Sequence, residues 1–494
     1  MKRVDLIIKG GKVVSAGHTS PQWVAVDKGK IVALGYGECM PEAEKIIDAS
    51  GKYVLPGGVD YEHHAGQPIK ESVLTNARGQ MAGGVTTGGF MHNSGRTLDP
   101  PIEPGGSEEI PLFSDQIPRF MKETINGRCS FDYFFAPELN SPDMIRDIPK
   151  LSEKLGVSTF KFYLHTMAGE KMWDMWAAGR ERGDRYFDDG DVFWAMREIA
   201  RLGPPAHLIL HCENWMIARL FRAELEAQGK TKAINYNDRS PAFCEAGEIR
   251  RWAYYAKVAK CPITINHVTT PDSVREVKLA KADGVNISGN VQPHYLLLNS
   301  EWGVINVPLR LDEYFDSLWE ALRTGVIDTI AGDNVWAKHR KLEVVQRDGL
   351  KPRSWAWNEA FVNGTNGFVY PVMLSEGVNK DRITIERLVE LYCENPAKKV
   401  GLFPRKGTIS IGSDADFAIV DLKKKKELTR DMVFSNVGWS IYEGRELQGW
   451  PVMTILRGNV VMEWPEGEPN RKIVGEPIGQ YIPPKPGYAL YPTE

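Results

Sequence analysis

Apolar and polar positions divide the chain into three textures. Up to residue 55, short apolar runs are broken by turn residues. Leu6-Ile7-Ile8 and Val13-Val14 flank Gly10-Gly11, and Trp23-Val24-Ala25-Val26 and Lys30-Ile31-Val32-Ala33-Leu34 flank Lys28-Gly29. That pattern predicts hairpin-like strands, with Ile46-Ile47 and Tyr53-Val54-Leu55 completing the set. No run of helical period interrupts them, so 1–55 reads as a β-module. From 56 to 403 short apolar strands alternate with longer helical patterns. Candidate strands fall at 59–60, 85–87, 131–135, 158–163, 207–211, 262–267, 285–288 and 327–333. Such alternation predicts an α/β fold, a parallel (β/α)8 TIM-like barrel. After 404 strands return, at 408–411, 417–421 and 452–456. Neither end of the chain makes a good core alone, so 1–55 and 404–465 are expected to build one composite β-sandwich. The Pro- and Gly-rich stretch 466–494 reads as an extended C-terminal arm on a neighbouring subunit. The four lysines at 423–426 read as a solvated turn.

Composition narrows the function classes. The chain has 494 residues, 25% charged and 42% hydrophobic, with a formal net charge of -3. This is an ordinary globular profile, and the near-neutral balance argues against nucleic acid as the main partner. The six cysteines are scattered with no CxxC pair, which fits reduced thiols and a cytoplasmic location better than a disulfide framework. The N-terminus lacks an uninterrupted apolar h-region, and no run is long enough to span a bilayer, so neither signal peptide nor membrane partner is expected.

Chemistry concentrates at candidate strand ends. In Pro56-Gly57-Gly58-Val59-Asp60-Tyr61-Glu62-His63-His64 a strand runs through a Pro-Gly-Gly break into acid and imidazole side chains. Alternation predicts that Asp60, Glu62 and His64 share one face, and that His63 faces outer helices or a loop. Lys161, His211, His267 and Asp333 sit at the C-terminal ends of other candidate strands, where a barrel of this kind gathers its active site. An ammonium inside Thr159-Phe160-Lys161-Phe162-Tyr163 costs several kcal/mol to bury unless it is paired or modified. Oxygen and nitrogen donors converging from five strands predict a divalent metal site.

The same residues carry a family resemblance. Pro-Gly-Gly-Val-Asp-x-x-x-His, Gly156-Val157-Ser158-Thr159-Phe160-Lys161, His211-Cys212-Glu213-Asn214, Ile265-Asn266-His267-Val268, Pro308-Leu309-Arg310 and Gly332-Asp333 resemble the dihydropyrimidinase/hydantoinase branch of the amidohydrolase superfamily. So do Asn363-Gly364, Asn395-Pro396-Ala397-Lys398, Pro404-Arg405-Lys406-Gly407-Thr408-Ile409 and Gly412-Ser413-Asp414-Ala415-Asp416. The resemblance implies two divalent metals, Zn²⁺ or Mn²⁺, bridged by carboxylated Lys161. Glu62 and His64 with Asp333 would hold the first, and His211 and His267 the second. It further implies Asp333 as acid and base, Asn363 as a substrate contact, and a homo-oligomer, dimer or tetramer. The chain departs from the family's His-x-His, which here reads Glu62-His63-His64. A carboxylate ligand is harder and favours Mn²⁺ or Fe²⁺ more than imidazole does. The family's oxyanion tyrosine falls at Thr166, and strand parity offers Tyr163 and His165 instead. Asn334 follows Asp333 where the family usually has His.

Between Lys161 and His211 the chain adds Met172, Trp173, Met175 and Trp176 beside Glu170, Lys171 and Asp174. These predict a lid with Trp173 and Trp176 bordering a bulky apolar or aromatic substrate group. Phe193 and Trp194, at helical spacing, fit a core helix better. The expected activity is hydrolysis of a C–N amide-type bond in a small cyclic amide or imide by a metal-activated hydroxide. A lactone or linear amide hydrolase and a non-catalytic scaffold of the same fold are the alternatives.

Overall fold

The computed structural model describes residues 3–64, 69–91, 111–139, 141–164, 188–303, 305, 307–334 and 365–484. Its centre is a barrel of parallel strands: β1 Gly58–His64, β2 Val85–Met91, β3 Asp132–Phe135, β4 Thr159–Tyr163, β5 His207–His211, β6 Ile263–Ile265, β7 Ile287–Val291 and β8 Ile327–Ile330. β1 to β3 pair in sequence order, as do β4 to β8. Single parallel bridges close the ring, Glu138 to Lys161 between β3 and β4, and Asn334 to His63 between β8 and β1. Every residue of β1 and β2 is buried, as strands covered on both faces must be. The helices around them show why they form where they do. In Asp189–Leu202 a capping box links Asp188 and Asp191, and Val192, Ala195, Met196 and Ile199 make the buried stripe. Phe193 and Trp194 lie in this helix, half-buried.

The barrel sits beside a composite β-sandwich. One sheet orders Lys30–Gly35, Trp23–Asp27, Val4–Lys9 and Ala43–Asp48. The other mixes the two ends of the chain: Tyr53–Pro56 pairs antiparallel with Phe417–Glu427, Leu55 opposite Ala418. Leu6, Ile8, Val24 and Val54 share one core with Ile409, Phe417 and Ile455, so neither end buries its apolar face without the other. Tyr53–Pro56 leads directly into β1. The turn between them needs Gly57, where an added Cβ would lie 2.1 Å from Thr86 Oγ1.

Two local expectations are corrected. Residues 408–411 are not a strand: Gly407 and Gly412 on either side take φ of +80° and +95°, and Ile409 alone turns into the sandwich core. The lysines at 423–426 are not a turn. They continue Phe417–Glu427 with burial alternating along the strand, past a register shift where Asp421 accepts from the amides of Lys423 and Lys424. The described part of the C-terminal arm lies on its own barrel. Tyr133 N donates to Gln480 O and Ile482 N to Tyr133 O, with Tyr481 against Tyr133 and Phe135. All six cysteines are free. Among the described residues no helix is long and apolar enough to cross a membrane.

Candidate metal and catalytic site

The donors gather where the strands end. His64 closes β1 and places Nε2 3.1 Å from Asp333 Oδ1, just past β8. Lys161, in β4, holds Nζ 5.0 Å from the centroid of the Tyr163 ring, and that ring is 5.3 Å from His211 at the end of β5. His211 and His267 stand edge to face with centroids 4.1 Å apart. His267 and Asp333 both take left-handed backbone conformations, φ 40° and 47°. For residues with a Cβ such geometry costs roughly 1–3 kcal/mol and clusters at functional sites. Gly332 makes the approach to Asp333 possible: its N–H donates to Asp60 Oδ2 at 2.9 Å, where a side chain would collide with Asp60 and Asn334.

β1 is not a regular strand here. Its pairing with β2 shifts register between Asp60 and His63. Asp60 and His63 consequently meet the same partner, Gln80 of the helix Ile69–Ala82, at 3.2 and 2.8 Å. His63 packs edge-on against Phe90 and Phe131. Asp60 also accepts from the Glu62 and Gly332 amides and from the Tyr392 hydroxyl, so both of its oxygens are already taken by protein donors. Glu62 points elsewhere, with Oε2 2.5 Å from Gln292 Nε2 and Oε1 buried without a hydrogen-bond partner among the described residues.

Electrostatics join these groups. Burial pushes the Glu62 carboxyl up to about 8, against the pull of Lys161, while Asp333 and Asp60 reinforce the rise. Burial alone would lower His64; hydrogen bonding to Asp333 and Glu138 outweighs it and lifts the imidazole to about 9. The same contact holds Asp333 well below the carboxylate range despite its burial. His211 and His267 are driven well below ordinary histidine by burial, with Lys161 adding to it, and so stay neutral. A metal ligand needs a neutral imidazole and an ionised carboxylate.

Five participants went unread in the sequence. Glu138 lies just past β3, its Oε1 3.6 Å from His64 Nδ1 and accepting from the Tyr163 hydroxyl at 3.2 Å. Glu213 accepts a very short hydrogen bond from His211 Nδ1 and lies 3.8 Å from His267 Nδ1. His211, Glu213 and His267 together could ligate one ion. Gln292 and Asn290 belong to β7 and its end, and His294 follows with both ring nitrogens buried and unpartnered among the described residues. Glu213 stood inside the His211-Cys212-Glu213-Asn214 motif, a signal available to sequence reading. His165, Trp173, Trp176 and Asn363 lie outside the described residues.

A divalent metal fits this donor set. Glu62 Oε1, Glu213 Oε1 and His267 Nδ1 are buried polar atoms without hydrogen-bond partners among the described residues, beside the neutral imidazole of His211. Such atoms are costly to bury unless something binds them.

Known proteins resemble this chain over nearly all its length. A model of the Amidohydrolase family matches residues 251–461. The L-hydantoinase of Paenarthrobacter aurescens is 29% identical over 493 residues, 97% of this chain and 98% of that protein. An allantoinase of Escherichia coli is 29% identical over 489 residues, with the same coverage. A solved D-hydantoinase structure superposes with a TM-score of 0.80 at 28% identity, covering 98% of this chain and 99% of the other. In fold and sequence the chain is similar to proteins of the amidohydrolase superfamily. Within it, fold and likeness support the branch of hydantoinases, dihydropyrimidinases and allantoinases.

Proposed function

We propose that this protein is a metal-dependent hydrolase that opens the ring of a cyclic amide or imide carrying a bulky apolar or aromatic group. The relatives named hydantoinase and allantoinase support a cyclic amide as the substrate class. The observation that carries the reading is the set of buried donor atoms near Lys161, at the barrel's strand ends, that have no hydrogen-bond partner among the described residues. Glu62, His64 and Asp333 would hold one ion and His211 and His267 a second. Lys161 would hold both as a carbamate, formed when its neutral amine adds to CO₂ with loss of a proton. When bound, the metals supply Lewis acidity that lowers the pKa of water and polarises a carbonyl. Asp333 would take the proton of the attacking water and return it to the departing ring nitrogen. Tyr163 and His165 would be the donors to the carbonyl oxygen as it becomes anionic, the Tyr163 hydroxyl turning to it from Glu138. Glu138 orients the Tyr163 hydroxyl and faces His64 Nδ1, which leaves Nε2 for the metal side. Trp173 and Trp176 would border the substituent, with Asn363 contacting the ring.

The test pairs metal analysis with a substrate panel. Protein grown with Zn²⁺ and Mn²⁺ is expected to carry about two ions per chain and to open aryl-substituted hydantoins or imides. Metal below about a tenth of an ion per chain, with no turnover of cyclic amides or lactones, would overturn the reading.

A further inference from the structure

Gln292 follows β7 directly and is fully buried. Its Nε2 lies 2.5 Å from Glu62 Oε2 and 2.9 Å from Asn290 Oδ1. An amide nitrogen carries two hydrogens, and both are used here. Chemistry therefore fixes the amide's orientation: turned over, its oxygen would face two acceptors. Asn290 is fixed in turn, donating from Nδ2 to the Tyr61 hydroxyl at 2.6 Å, with Thr329 Oγ1 at 3.3 Å. Tyr61 and Thr329 meet each other at 2.8 Å. A chain of polar contacts thus crosses the barrel interior from β8 through β1 and β7 and ends on one oxygen of Glu62. The other oxygen, Oε1, is buried and has no partner among the described residues.

We infer that Gln292 is a positioning residue that caps Glu62 Oε2 and so presents Oε1, alone, to a divalent metal ion. The inference rests on the metal-hydrolase reading above. A ligating carboxylate needs an outer donor, whereas a ligating imidazole with its second N–H turned outward needs an outer acceptor. Gln292 supplies a donor, held in that sense by Asn290. Glu62 and Gln292 are therefore a matched pair, and changing either alone sets like groups against each other or leaves the carboxylate free to rotate.

The experiment is a double-mutant cycle read as Mn²⁺ affinity by equilibrium dialysis of the apo proteins, with no turnover needed. Gln292→Met, near in size and without a donor, is expected to weaken one Mn²⁺ site by about 10–100-fold, the usual effect of losing an outer partner. Gln292→Glu keeps size and polarity, opposes acceptor to acceptor, and is expected to weaken the same site at least as much. In a Glu62→Ala background neither change should alter Mn²⁺ affinity by more than about twofold, because their effect passes through Glu62. Apo melting curves serve as the folding control, and either folded Gln292 variant suffices. Equal losses with and without Glu62, or no loss, overturn the role of Gln292 while leaving the hydrolase reading standing. A wild-type chain that takes up no Mn²⁺ overturns that reading and the inference together.

Discussion

Two buried charge clusters in this molecule differ in how completely they are satisfied. Lys406 sits among Asp132, Asp414 and Asp416, at 2.6, 3.0 and 2.5 Å. Every oxygen of those three carboxylates has a partner. Lys30 and Arg405 reach Asp414, the Arg457 amide reaches Asp416, and the Arg457 guanidinium and the Gln480 amide reach Asp132. The cluster ties β3 to the sandwich and to the C-terminal arm. The strand-end site is similarly buried, yet Glu62 Oε1, Glu213 Oε1 and His267 Nδ1 have no hydrogen-bond partner among the described residues, and two of its residues carry backbone strain. Both Asp132–Asp414–Asp416 and His211–Glu213–His267 have the spacing of a metal triad. In the first an ammonium already occupies the centre. A closed network holds the fold together, and an open one is built to receive something.

The largest expected effect breaks the open cluster. Lys161→Ala should lose metal and reduce turnover on the order of 10³-fold, equivalent to about 4 kcal/mol of transition-state stabilisation, with little change in melting temperature. Short carboxylic acids are expected to restore part of both by standing in for the carbamate. Full metal occupancy in the alanine variant would remove Lys161 from the ligand set.

The closed cluster should respond in the opposite way. Lys406→Met takes the central cation from three buried carboxylates and leaves Asp416 Oδ2 without its partner, and breaking such a set costs about 3–5 kcal/mol. Urea unfolding should register that loss, while metal per chain in the protein that remains folded stays at the wild-type value. A variant that keeps its stability but sheds metal would erase the distinction between the clusters.

A pH series sharpens the same contrast. Despite burial, Lys406 holds Asp414 at about 2, below its unfolded value. A depressed acid stabilises the fold above its unfolded pKa and loses that contribution as pH falls through the folded one. The stability gap between wild type and Asp414→Asn should therefore be full above about pH 4 and close toward pH 2. Asp416 is shifted upward by burial and works in the other sense, which is why the comparison is with a single variant and not with the whole acid limb. A gap that stays constant from pH 5 to about 2 would show that Asp414 is not held by charge.

Much of this was legible from period and position. Short apolar runs set between helical patterns located every barrel strand, because a parallel barrel buries its strands on both faces. Lys161, His211, His267 and Asp333 stood out because strand ends in such a barrel face one side. Gln292 was missed for a geometric reason: β7 was expected to end at 288, and it runs to Val291, which brings Gln292 and His294 to the same rim. The register shift in β1 was also invisible, so Asp60 was grouped with Glu62 although it shares Gln80 with His63. Lys406 stood in a family motif, but its partner Asp132 lies 274 positions away, and no local pattern reports a contact of that range.

The smallest expected effect concerns metal choice. Glu62→His replaces a hard anionic donor with an imidazole, which should shift the first site's preference from Mn²⁺ toward Zn²⁺ by something on the order of tenfold. Gln292 should limit the gain. Its amide donates to Asn290 as well as to Glu62, so it cannot turn its oxygen toward a new imidazole N–H without losing the contact at 2.9 Å. Glu62→His alone should therefore bind Zn²⁺ less tightly than Glu62→His combined with Gln292→Glu, which offers the imidazole an acceptor. Competition between Zn²⁺ and Mn²⁺ in dialysis measures both effects. Identical Zn²⁺ affinities in the single and double variants would mean that position 62 contacts its metal without help from β7, and that the open cluster is open on that side as well.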